Sequence, residues 1–143
     1  MKQKTELVLR LVIGAVLVWA GVGKLLQPAA FYSALTDYRV PLPEVVWQFV
    51  AVGLPWLEMI CGAGLVVDFW PETVRPLVVG MFGVFVGMLL QAVVRGLDLE
   101  CGCFGGGGGW FERPGVALAR AAVLLGLALV LTRAGSAGGA RCP

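Results

Sequence analysis

Apolar residues run through this chain in four long stretches, at about 7–26, 45–67, 77–94 and 116–131. A helix needs about 20 mostly apolar residues to cross roughly 30 Å of hydrocarbon, so each stretch predicts a transmembrane helix. The first has Arg10 and Lys24 near its two ends, where long cationic side chains can snorkel to opposite interfaces. Pro55 and Glu58 interrupt the second, the third carries no charge, and Arg120 lies in the first turns of the fourth. The first stretch also resembles a signal peptide. It lacks a small-x-small cleavage site before a polar region, and three further stretches follow, so it is expected to stay as a helix. The fold expected is an all-α membrane protein: one four-transmembrane-helix bundle over 1–132, with 133–143 as a flexible tail.

Composition agrees. Of 143 residues, 59% are hydrophobic and 14% charged, and mean hydropathy is +0.87. A soluble domain is nearer one quarter charged. The basic residues are scattered rather than clustered, which gives no footing for nucleic acid. Small residues recur within the stretches, among them Gly14, Gly21, Gly62, Gly64, Gly80, Gly83, Gly87 and Gly126. They allow close helix approach in lipid, where packing drives association.

An even number of spans puts both termini on one side. The eleven basic residues divide almost evenly, with a slight excess on the terminal side. The positive-inside rule then places the termini in the cytoplasm and the connection between the third and fourth spans in the periplasm.

That connection carries the candidate chemistry. Histidine is absent, which removes the usual general base and the commonest metal ligand. No Cys/His spacing of a zinc site is present, so no metal is expected. Cys101-Gly-Cys103 lies just before five consecutive glycines at 105–109. A disulfide across one intervening residue closes a small strained ring, and strain makes it easier to reduce. Thiol–disulfide exchange is the reading this favours; binding a soft metal through two thiolates, or a purely structural pair, are the alternatives.

Other residues draw notice as well. Glu58 sits mid-span, where a carboxylate costs roughly 2.5–3.5 kcal/mol to insert and so needs a partner or a role. Arg120 is the expected partner, within about 4 Å, with Lys24 and Arg10 as competitors. Cys61 lies three residues on, on the same helical face, and reads either as a small apolar packer or as a relay thiol. Trp19, Trp47, Trp56, Trp70 and Trp110 include several near predicted span ends, where an aromatic belt is expected. Cys142, in the tail, is expected to be cytoplasmic and reduced.

Taken in order, Gly21-Val-Gly-Lys24-Leu, Pro41 to Pro43, Glu58, Arg95-Gly96, Cys101-Gly-Cys103-Phe104-Gly105 and Arg120 resemble the MauE family of methylamine-utilisation membrane proteins, related to the DoxX/DoxD proteins. The resemblance covers about 7–131 and rests mainly on the Cys-Gly-Cys-Phe-Gly string. It implies a four-helix inner-membrane protein that forms or transports disulfides while a periplasmic enzyme matures, often beside a thioredoxin-like partner. It also implies Cys101 and Cys103 as the redox pair, with Glu58, Arg95, Arg120 and Lys24 as polar residues of the motif. DoxX-type relatives add quinone as a candidate cofactor. The chain departs from the family pattern in its glycine run and in Cys61. The function expected is a membrane-embedded thiol–disulfide oxidoreductase working between a periplasmic thioredoxin-like protein and quinone or an internal thiol. A non-catalytic maturation scaffold and a soft-metal or small-thiol transporter are the alternatives.

Overall fold

A computed structural model describes residues 2–97 and 113–138. Among these residues five helices follow one another: α1 (Lys2–Leu26), α2 (Pro28–Asp37), α3 (Glu44–Val67), α4 (Pro71–Val94) and α5 (Pro114–Gly138). Four of them, all but α2, are long and apolar enough to cross a membrane. At 1.5 Å per residue each runs to more than about 30 Å. The third span begins at Pro71, earlier than the apolar run suggests, because a proline at the first helical position lacks only an N–H that would be unpaired anyway. The last helix continues through Gly138, beyond Thr132.

The bundle is two close pairs, α1 with α3 and α4 with α5, joined more loosely through α1 and α5. Glycine explains the first pair. A Cβ added at Gly62 would lie 2.8 Å from the Gly14 carbonyl oxygen, and one at Gly21 would lie 2.8 Å from the Pro55 oxygen. Both are shorter than van der Waals contact, so the α1 and α3 backbones nearly touch, which only glycine permits. By contrast, Gly80, Gly83, Gly87 and Gly126 would meet nothing within 4 Å, so they do not bring helices together.

At the end of the bundle holding the chain termini, the α3–α4 turn is tightly fastened. Phe69 N–H bonds the Gly64 carbonyl at 2.9 Å, and Asp68 N–H bonds that of Leu65 at 3.4 Å, with Asp68 left-handed at φ 57°. This is a Schellman cap with Asp where glycine is usual. Arg10 stabilises it: its guanidinium pairs with Asp68 at 2.9 Å and donates to the Leu65 carbonyl at 3.0 Å. Arg75 pairs with Glu6 at 2.6 Å. Arg10 thus does not simply snorkel; it caps a neighbouring helix. Ile13, Leu17, Cys61, Leu65, Val78, Phe82, Ala128 and Leu131 form the core of this half.

The other half is built differently. Helix α2 was not expected, and it does the work there that α1 does at the terminal end. Phe31, Ala34, Leu35 and Tyr38 recur at helical spacing and are buried. Phe31 and Leu35 pack on Trp47 of α3, while Tyr38 packs on Leu89 and Ala92 of α4 and on Ala117 and Ala121 of α5. The break between α1 and α2 falls at Gln27 (φ −130°, ψ 63°) because Pro28 disfavours helical geometry in the residue before it.

Candidate functional site

Where α1 gives way to α2, Lys24 is buried at 3% exposure beside Glu58 at 7%. Its Nζ donates to both carboxylate oxygens, at 2.6 Å each. The same ammonium lies 5.4 Å from the centre of the Phe31 ring, within cation–π range. Lys24 therefore takes the place expected of Arg120 and does not snorkel. The reason is packing: the glycine contacts of Gly14, Gly21 and Gly62 hold α1 directly against α3, whereas α5 lies chiefly against α4. A Lys side chain leaning toward the N-terminus of α1 meets Glu58 on its neighbour.

The pair forms part of the wall of a cavity of about 610 Å³ between the α1–α3 and α4–α5 pairs. Arg120 reaches the same cavity from α5. Glu58 and Arg120, the two residues expected to pair, thus line one cavity, with Lys24 as the ion-pair partner of the carboxylate. Apart from Lys24, Glu58 and Arg120, the lining is almost wholly aliphatic and aromatic. Trp47 belongs to it and is only 7% exposed, unlike Trp19, Trp56 and Trp70, which are exposed; Trp56 lies at the middle of α3 rather than at an interface. Tyr38 and Trp47 are the site residues that sequence reading missed. The spacing of Phe31, Ala34, Leu35 and Tyr38 was the signal available for Tyr38.

Tyr38 is 4% exposed, and among the described residues its hydroxyl has no hydrogen-bond partner. Burial pushes its pKa above the usual tyrosine value, so the hydroxyl stays protonated and can donate at neutral pH.

Cys61 is 2% exposed and a free thiol, packed among the terminal-half core residues rather than against the cavity. Arg95 closes α4, and the next residue explains the Arg-Gly pair of the sequence. Gly96 takes φ 63°, with Gly96 N–H to the Val93 carbonyl at 3.1 Å and Leu97 N–H to that of Ala92 at 3.0 Å. This is a second Schellman cap, now with its usual glycine. It ends α4 in the same half of the bundle as α2. Cys101, Cys103, Trp110 and Cys142 themselves lie outside the described residues.

Over residues 2–134 the chain matches the family described as "Methylamine utilisation protein MauE". It is 31% identical over 123 residues to "Methylamine utilization protein MauE" of Paracoccus versutus, covering 85% of this chain and 64% of that relative's length. No solved structure matches it.

Proposed function

The chain belongs to the MauE family, and from that premise we propose that it is a thiol–disulfide oxidoreductase of the bacterial inner membrane. Cys101 and Cys103 alternate between dithiol and disulfide, exchanging two electrons with a periplasmic thioredoxin-like protein or a maturing periplasmic enzyme. The other end of the electron path is a membrane quinone or the internal thiol Cys61. The observation that carries the reading is the Lys24–Glu58 pair, buried in the wall of an apolar cavity in the bundle. The connection bearing the two thiols leaves α4 and enters α5 in the half that α2 completes.

The exchange is reversible, and either direction passes through one mixed disulfide. When the pair reduces its partner, the Cys101 thiolate attacks the partner disulfide, and one partner sulfur leaves as thiolate. Cys103 then attacks the mixed disulfide, releasing the second partner sulfur and closing the Cys101–Cys103 bond. The two thiol protons lost by the pair equal the two the partner takes up. Oxidation of the partner is the same sequence reversed. Lys24 and Glu58 serve as a proton station for this traffic: a proton can pass between amine and carboxylate without changing the pair's net charge. Arg120 and Arg95 supply positive potential near the thiolates. Both termini are cytoplasmic in this reading, and the Cys101–Cys103 connection is periplasmic.

Cys103→Ser tests it. Without its resolving thiol, the intermediate has no exit within this chain, so a mixed disulfide between Cys101 and a thioredoxin-like partner should accumulate. On a non-reducing gel it appears as a higher band that collapses with dithiothreitol; Cys101→Ser should trap the mirror species at Cys103. Neither variant trapping an adduct, with both fully functional, would replace the oxidoreductase by a non-catalytic maturation scaffold.

A further inference from the structure

The cavity between the two helix pairs has the length of a lipid chain and is not closed. Its α4 wall runs from Pro76 to Met88, which at 1.5 Å per residue is about 18 Å. One leaflet of a bilayer core is about 15 Å deep, so the two lengths agree. Val84 and Leu77 of α4 line the cavity at 70% and 43% exposure, and Leu57 of α3 lines it at 37%. Side chains that accessible stand at a rim rather than inside a sealed void, so the cavity opens to hydrocarbon between α3 and α4. At about 610 Å³ it far exceeds the small voids of a packed core, and its few polar groups offer water no set of partners. A hydrocarbon chain is what fits.

Charge decides which kind of chain. Lys24 and Glu58 neutralise each other at 2.6 Å, so among the described residues of the wall Arg120 sets the sign. Arg120 lies about 9 Å along α5 from its start at Pro114, in the half of the bundle that α2 completes. Side chains incline toward the N-terminus of their helix, so the guanidinium is directed to the headgroup level of that leaflet. Its five N–H donors can serve a phosphate beside another acceptor. We infer that the cavity holds one acyl chain of an anionic phospholipid, inserted between α3 and α4, with the phosphate at Arg120 and the chain end toward Pro76. A zwitterionic phospholipid carries a cation of its own beside the phosphate and gains less there. The lipid is then part of the bundle, bridging two helix pairs that meet only loosely through α1 and α5. This goes beyond the thiol chemistry and stands without it.

Trp47 in the wall reports occupancy. The full-length protein keeps Trp47 and has its other four tryptophans changed to Phe, in nanodiscs of phosphatidylcholine. Phosphatidylglycerol or phosphatidylcholine with brominated acyl chains then replaces a rising share of the lipid, and quenching of Trp47 is followed. Brominated phosphatidylglycerol should reach half-quenching at about a fivefold lower share than brominated phosphatidylcholine, the factor one cation contributes to holding an anionic lipid. Arg120→Gln should bring the two curves together. Gly80 lines the cavity, and a Cβ there would meet nothing within 4 Å, so Gly80→Leu should fill the space and remove the saturable quenching. Phosphatidylglycerol should also raise the melting temperature of the parent protein but not that of Gly80→Leu. Neither the parent's preference nor Gly80→Leu depends on Arg120→Gln folding. A variant with Cys101 and Cys103 both changed to Ala should show the same preference, which keeps this test apart from the thiol reading. Equal quenching by the two lipids in the parent, or quenching that Gly80→Leu leaves intact, is contact with bulk bilayer and overturns the site. Displacement of phosphatidylglycerol by an equal share of free fatty acid overturns the assignment to a phospholipid.

Discussion

Removing either member of the Lys24–Glu58 pair alone should destabilise the bundle by about 3–5 kcal/mol, while removing both should cost far less. One partner left behind is an uncompensated charge inside a helix bundle, with no water to take it up. Both partners replaced by apolar residues of similar volume leave only a packing change. Lys24→Met, Glu58→Leu and the double variant, unfolded by sodium dodecyl sulfate in mixed micelles, form a double-mutant cycle that measures this coupling. Two single losses that simply add would show that the 2.6 Å contact holds nothing. The double variant also separates architecture from chemistry. If the pair only locks α1 to α3, the folded double variant exchanges thiols at the normal rate. As a proton station, the pair is missed, and the folded variant exchanges slowly while still forming the trapped adduct.

Replacing Cys101 or Cys103 by Ala should lower thiol–disulfide exchange with a thioredoxin-like protein on the order of 10³-fold or more, because no other group supplies the sulfur that carries the covalent intermediate. Cys61→Ala is the internal control. The residue is 2% exposed and belongs to the core cluster that includes Ile13, Leu17 and Leu65. The loss of a small buried group should lower the melting temperature modestly and leave the exchange rate alone. A rate that falls as far in Cys61→Ala as in Cys101→Ala would make Cys61 a relay. The assay follows reduction of the partner disulfide by detergent-solubilised protein, with each variant's fold checked by melting.

The transmembrane helices were legible because length and apolarity in lipid are nearly sufficient to define them. Glu58 drew notice for the same reason: a mid-span carboxylate demands an account. Its partner was not legible, because pairing depends on which helices touch, and that is set here by three glycines whose contacts only the packed structure shows. The glycines read alike in sequence, yet Gly14, Gly21 and Gly62 bring backbones together while Gly80 faces open space. Helix α2 was hidden because ten residues between two long apolar runs read as a linker. With it went Tyr38, a buried residue of the cavity wall, and Trp47, which looked like one more interfacial tryptophan. The Cys-Gly-Cys string, by contrast, is a purely local signal, and the sequence states it outright.

The most direct test of the central claim is the redox state of that pair in its own membrane. Membranes carrying a Cys61→Ala, Cys142→Ser variant, with only Cys101 and Cys103 left as thiols, are quenched in acid. They are then treated with a maleimide heavy enough to shift a gel band, with and without prior reduction. The account predicts no shift before reduction and a shift of two adducts after it, with the unreduced form converting to the doubly labelled one when a reduced thioredoxin-like protein is added. Two adducts without any reductant, unchanged by partner or quinone, would mean that Cys101 and Cys103 do not cycle, and the oxidoreductase account would be wrong.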